Sequence, residues 1–337
     1  QLDFQHSNVS LSCYFLFMIG FGSTLMNSAC LKCCAINFPT IRGVATALPL
    51  ALYGLSALFF SVVASVFFPG NTSGFLGFMT IALLVVFLIC SPKIILYEYE
   101  LKLMRSKALQ EIELDTFSGE TSTQPDTETI GSNKILLQQI GGLKLFRTQK
   151  FWPMFLVTGI LAATGQMYIY SVGYITKALI VHSATPDTVG DLDLEIQRLL
   201  QWQVGLLSIA NFVGRISAGV LGDMISHHTS LHSKPRSLLL VVPAVGMYFS
   251  QFLGIRCQTY EELSLVSLSV GFFYGFTFCI MPLVVGDTFG LDNFSLNWGF
   301  VGLAPVLLSP YFTSLFGETF DRNSQVTEKG ESICTLG

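Results

Sequence analysis

Charge is what this sequence has least of. Asp, Glu, Lys and Arg make up 12% of its 337 residues, where soluble domains carry roughly a quarter. The net charge of -4 comes with no basic patch, which excludes a nucleic-acid partner. The opening QLDFQHSNVS has no Lys or Arg, so the basic start of a cleavable signal peptide is missing. No GxxxxGK[ST] loop occurs, which disfavours ATP-driven work. Eight cysteines are present, but the CxxC within CLKCC, Cys30 to Cys34, has no second pair, and no metal site is read. The turn histidines His227, His228 and His232 are read as solvated. No serine, cysteine or paired-carboxylate constellation suggests an enzyme, and no cofactor is expected.

What the chain has instead is apolar length. Mean hydropathy is +0.58. Gly43 to Pro92 and Phe151 to Thr176 contain no Asp, Glu, Lys or Arg at all. A bilayer crossing needs roughly 20 apolar residues, and lipid admits only helices and closed barrels. These runs are continuous rather than alternating, so they predict helices. About eight spans are expected, near 11–31, 43–68, 74–92, 151–176, 200–225, 237–255, 263–286 and 295–316. The fold class is therefore an all-α membrane protein, a helical bundle with three spans before and five after a central polar loop. Residues 1–92 form one helical part, 93–150 the loop, and 151–337 the second helical part.

The loop carries Lys93, Lys102, Arg105, Lys107, Lys134, Lys144, Arg147 and Lys150. Basic residues near span ends favour the cytosol, which places this loop inside. Its acidic, Ser/Thr-rich stretch is expected to be disordered, and KILLQQIGGLKLF, Lys134 to Phe146, has the spacing of an interfacial helix. The sequons at Asn8 and Asn71 then fall outside, where glycosylation is available. A third, at Asn293, falls inside.

The stretch GRISAGVLGD, Gly214 to Asp223, puts two charges into the fifth span. Asn211, Arg215, Gly219 and Asp223 are four apart and line one helix face. Gly214, Ala218 and Gly222 form a neighbouring row of small residues, the pattern that lets helices approach closely in lipid. Arg215 lies eight residues before Asp223, about 12 Å deeper. A guanidinium at that depth costs several kcal/mol unless it faces a partner or a wet cavity. It serves either as an anchor for an anionic substrate or as a brace on a carboxylate or backbone carbonyls. Asp223, followed by a basic turn, suits a salt-bridged gate at a helix end.

These residues resemble a known family. GVLGDMI and KPRS, with Gly219, Gly222, Asp223 and Arg236, resemble the loop motif of the major facilitator superfamily, with extra residues inserted before Lys234. The segments GSTLMNSACLKCCAINFPTIRGVATALPLALYGLSALFFS, MYIYSVGYITKAL, LSIANFVGRISAGVLGD and GFFYGFTFCIMPLVVGDTFGLDNFSLNWG are similar to the fungal nodulin-like, monocarboxylate-porter-like facilitators. The resemblance implies a bundle of major facilitator type, with a gate formed by Asp223 and Arg236. It also implies two six-helix halves, so this chain reads as a fragment without the first three helices and the last one. Monocarboxylate porters carry an aspartate one turn before the arginine, where this chain has Asn211. That departure bears on both proton coupling and a monocarboxylate substrate.

Further polar groups lie on apolar spans: Asn27, Gln166, Tyr170, Tyr174 and Tyr274 are cavity-lining candidates. Gln166, Tyr170 and Tyr174 share four-residue spacing. Gly299 and Gly302 near Pro305 suggest a flexible eighth span. The expected function is secondary-active transport of a small organic solute, an organic anion among the candidates, by alternating access. The alternatives are a non-transporting scaffold or sensor and an intramembrane enzyme. The expected partners are a small molecule, the lipid bilayer of the plasma or an organellar membrane, and a coupling proton. Oligomeric state is not legible.

Overall fold

The structure, a computed structural model, describes residues 9–69, 71–92, 106, 141–183, 192–227, 236–326 and 332–334. Eight helices among them are long and apolar enough to cross a membrane. They are α1 (Val9–Asn37), α2 (Arg42–Phe67), α3 (Thr72–Pro92), α4 (Phe151–Ser183), α5 (Leu192–His227), α6 (Val241–Arg256), α7 (Tyr260–Phe289) and α8 (Phe294–Arg322). All eight expected spans are present. Several run further than their apolar cores: α4 continues past Lys177 to Ser183, and α5 starts at Leu192. In lipid a helix satisfies its own backbone polar groups, so it extends until water can take over.

Local signals set several ends. Thr259 opens α7 with a capping box: its hydroxyl accepts the Glu262 N–H, and the Glu262 carboxylate accepts the Thr259 N–H at 3.2 Å. Gly290 closes the same helix at φ 84°, a conformation that favours glycine, with its N–H on the Gly286 carbonyl.

The chain divides into two compact units, residues 1–58 with 139–337, and residues 59–138. The smaller unit holds the end of α2, the turn after it, and α3. There the Asn71 side chain accepts the Gly74 N–H at 2.9 Å. The Phe68 ring lies 5.6 Å from Phe78 and 6.1 Å from Phe75.

The larger unit holds the functional geometry. Its tightest helix pair is α5 with α7. A Cβ at Gly214 would collide with the Phe272 carbonyl, and one at Gly275 with the Asn211 carbonyl. Gly271 and Gly275 thus form a GxxxG face on α7 that meets Leu207, Ala210 and Asn211 of α5. Helix α8 packs along α4, and α6 packs on α7. One apolar cluster joins α1, α2, α4, α5, α7 and α8 through Leu31, Ala47, Phe151, Ala218, Ile280 and Val301. A second joins α4 to α7 through Leu161, Tyr168, Leu207, Met247 and Val270.

Of the stretch read as an interfacial helix, residues 134–140 lie outside the described residues. The rest forms a short 3-10 turn, Gly142–Arg147, whose Leu145 is fully buried. The Phe146 ring lies 4.9 Å from Phe300 and 5.1 Å from Phe151, so this turn is tucked into the core. After α8 a small antiparallel ribbon pairs Ser324–Val326 with Ser332–Cys334.

Candidate functional site

The four-residue row on α5 faces α2 along its whole length. Asn211 lies against Gly54, Arg215 against Leu50 and Tyr53, Gly219 against Ala47 and Gly43, and Asp223 against Gly43 and Val44. The two helices are antiparallel here, since rising numbers on α5 meet falling numbers on α2. Close approach depends on missing side chains. A Cβ at Gly54 would stand 2.6 Å from the Asn211 Oδ1, and one at Gly219 2.6 Å from the Gly43 carbonyl.

Arg215 is 4% exposed. One terminal nitrogen donates to the Leu50 carbonyl at 2.6 Å, and the guanidinium lies 5.6 Å from the centre of the Tyr53 ring. Its Nε has no hydrogen-bond partner, and neither does the neighbouring Asn211 Oδ1. Among the described residues no carboxylate forms an ion pair with Arg215. A buried cation with a free donor is costly, and here it borders a cavity of about 1230 Å³.

That cavity gathers Asn27 from α1, Gln166 from α4, Asn211 and Arg215 from α5 and Tyr274 from α7, on five helices in all once Tyr53 of α2 is added; α8 closes the wall with Trp298, Gly299 and Gly302. Gln166 hydrogen-bonds the Tyr274 hydroxyl. Tyr170 lines a second cavity of about 520 Å³ between α4 and α8. Tyr174 lines neither and sets its ring 5.5 Å from Phe320. The cause is helical drift. Four residues overshoot one turn by about 40°, so Tyr174 has rotated about 80° from Gln166.

At the end of α5 the gating candidates converge. Asp223 is 6% exposed. Its two oxygens accept the N–H groups of Gly43 and Val44 at 2.7 and 2.8 Å, and Arg236 lies 3.4 Å away. These N–H groups open α2, where a helix has unpaired donors and a positive end. Arg236 also donates to the Gly222 carbonyl at 3.0 Å and grips both oxygens of Asp287 at 2.8 and 3.0 Å. Gly219 and Gly222 give the room: Gly219 meets α2, and Gly222 faces Ile280 and Leu283 of α7.

Asp287 is the member that sequence reasoning missed. A signal was present, because Gly222-Asp223 and Gly286-Asp287 both end long apolar runs with the same dipeptide. The Leu50 carbonyl and the α2 amides are backbone groups and leave no mark on residue identity. Of the glycosylation candidates, Asn71 is exposed, and Asn8 lies outside the described residues. Lys234 and the inserted residues before it lie outside them as well.

Comparison with known proteins finds relatives among membrane transporters. The Nodulin-like family profile matches residues 3–115. Through this profile and the relatives below, the chain is similar to nodulin-like transporters of the major facilitator type. It is 26% identical to "Uncharacterized membrane protein YMR155W" of Saccharomyces cerevisiae, over 94% of this chain and 70% of that protein. It is 23% identical to "Probable transporter MCH1" of Debaryomyces hansenii, over 92% of this chain and 64% of the relative. It is also 23% identical to "Uncharacterized MFS-type transporter YhjX" of Escherichia coli, over 84% and 58%. The chain thus spans between 58% and 70% of the length of these relatives. Its eight apolar helices make it an integral, multi-pass membrane protein.

Proposed function

We propose that the chain moves a small organic anion across a membrane by alternating access, with Arg215 as the residue that receives the anion. One observation carries this reading: a guanidinium 4% exposed, with an unpartnered Nε, borders a large cavity instead of a carboxylate. The planar guanidinium fork suits carboxylate and similar oxyanions. Asn211, Gln166 and Tyr274 supply neutral hydrogen-bonding groups beside it, which fix orientation without adding charge. The relatives bearing transporter names point the same way. Coupling through a carboxylate of the cavity is disfavoured, since Asn211 stands one turn before Arg215 and no Asp or Glu lines the cavity among the described residues.

The second element is the latch. With the basic loop before α4 in the cytosol, α5 runs inward and Asp223 lies at its cytosolic end. Asp223 ties α5 to the first turn of α2, while Arg236 ties that same carboxylate to Asp287. In this role the Asp223, Arg236 and Asp287 cluster closes the cytosolic side, and its release opens the cavity inward. The two states differ in which side reaches a fixed midplane site.

The test is uptake into proteoliposomes of a panel of radiolabelled mono- and dicarboxylates. Wild-type chain accumulates at least one of them. Arg215→Ala reduces that uptake tenfold or more at equal protein content. Full uptake by the variant would remove Arg215 from the mechanism.

A further inference from the structure

The cavity beside Arg215 has an extension that a short acid does not need. The second cavity, of about 520 Å³, shares Gln166, Phe278, Trp298, Gly302 and Val306 with the first. These five residues form a throat between two chambers. On the α8 side the throat carries Trp298 and Val306, with no side chain at Gly302 between them and none at Gly299 on the wall of the first chamber. A Cβ at Gly299 or Gly302 would find nothing within 4 Å. This openness contrasts with Gly214, Gly219 and Gly275, whose missing side chains are filled by neighbouring helices.

The two chambers also differ in chemistry. Among the described residues the first is lined by one cation, Arg215, with Asn27, Asn211 and Tyr274. Among the described residues no charged one lines the second; its wall is Tyr170, Pro305, Val306 and Pro310, with the hydroxyls of Thr158, Ser309 and Thr313 at the edges. Aromatic rings of Phe278 and Trp298 stand between them. The second chamber is of the size that holds a drug-like molecule, and the first is larger still.

We propose that the substrate is an elongated amphipathic organic monoanion. Its single oxyanion sits at Arg215, and its apolar or aromatic body passes Gly299 and Gly302 into the second chamber. This rests on the anion reading of Arg215 and adds the size, charge count and polarity of the ligand. One cation and no carboxylate select a single negative charge, because a second would be buried unpaired. Glycine at 302 is the specificity-determining position, since its missing side chain keeps the throat open for the body. Phe278 and Trp298 flank the body and favour a flat or unsaturated one.

The experiment measures binding of acetate, hexanoate and 6-phenylhexanoate to the full chain in lipid nanodiscs by isothermal titration, with empty nanodiscs subtracted. In wild type, affinity rises about fourfold per buried methylene, so 6-phenylhexanoate binds far more tightly than acetate. Gly302→Leu weakens 6-phenylhexanoate at least tenfold and leaves acetate unchanged. Gly302→Ala falls between the two, and unchanged melting temperatures show that both variants are folded. Arg215→Ala weakens all three acids. If affinity is flat with length, or if Gly302→Leu leaves 6-phenylhexanoate untouched, the two-chamber substrate is wrong while the anion site stands. If Arg215→Ala changes none of the three, the anion site itself is wrong.

Discussion

Asp223 holds the start of α2 through Gly43. Its Oδ1 accepts the Gly43 N–H at 2.7 Å, and its Oδ2 accepts the next amide, Val44, at 2.8 Å. Both are donors that the helix itself cannot satisfy, and the carboxylate sits at the positive end of the helix dipole. The contact therefore joins α5 to α2 through charge and geometry that a neutral amide cannot copy.

Replacing Asp223 with Asn turns one acceptor into a donor facing a donor. The cost is about 2 kcal/mol, enough to shift a balanced two-state gate by more than tenfold. Thr46 is 2% exposed on α2, next to this contact. With the native cysteines replaced, a cysteine introduced by Thr46→Cys should resist a water-soluble maleimide. Adding Asp223→Asn should raise its labelling rate about tenfold. Equal rates with and without Asp223→Asn would show that the carboxylate does not hold the gate.

The glycines divide into two groups with opposite expected behaviour. Gly214→Ala and Gly275→Ala place a methyl against a facing backbone carbonyl on the partner helix, and backbone has little freedom to yield. Each should destabilise by about 1–3 kcal/mol and lower the melting temperature in detergent. Gly299→Ala meets open space and should leave that temperature unchanged or slightly raised, since alanine favours the helix by about 1 kcal/mol.

Much of this arrangement was written in residue identity. The eight spans follow from charge-free length, because lipid admits few alternatives. The row Asn211, Arg215, Gly219 and Asp223 follows from helical period, and all four do meet one neighbour, α2. Which neighbour they meet was not legible, since it depends on tertiary packing. The partners of the two key charges were hidden for a different reason. Arg215 binds the Leu50 carbonyl and Asp223 binds the Gly43 and Val44 amides; every residue carries such a carbonyl, and every one but proline such an amide N–H. Tyr174 shows the limit of four-residue spacing. Over two steps the drift turns its ring to Phe320, away from the cavity that Gln166 lines.

Arg236 and Asp287 should weigh unequally although they are one ion pair. The Arg236 and Asp223 side chains are both 8% exposed, whereas the Asp287 side chain is 36% exposed. Arg236→Ala strands a buried carboxylate at Asp223 and leaves the Gly222 carbonyl without this donor. Its cost should be about 3 kcal/mol. Asp287→Ala removes a partner that water can partly replace, so its cost should stay near 1 kcal/mol. Melting temperatures in detergent should fall further for Arg236→Ala, and a double-mutant cycle should return a coupling above 0.5 kcal/mol. A larger drop for Asp287→Ala would overturn this ranking.

Arg215→Lys separates charge from shape. Lysine keeps the positive charge but not the planar fork, and its single ammonium cannot serve the Leu50 carbonyl, the Tyr53 face and a cavity anion together. Arginine has the geometry for it because its donors point in different directions: a terminal nitrogen to the carbonyl, and Nε without a protein partner. Buried lysine also gives up its proton more readily than arginine. Anion uptake by Arg215→Lys should therefore fall about tenfold at neutral pH, with protein content and melting temperature near wild type. Lysine loses its charge as pH rises, so the remaining uptake should decline toward alkaline pH, while wild-type uptake holds level. A lysine variant matching wild type at every pH would mean that charge alone suffices at this position.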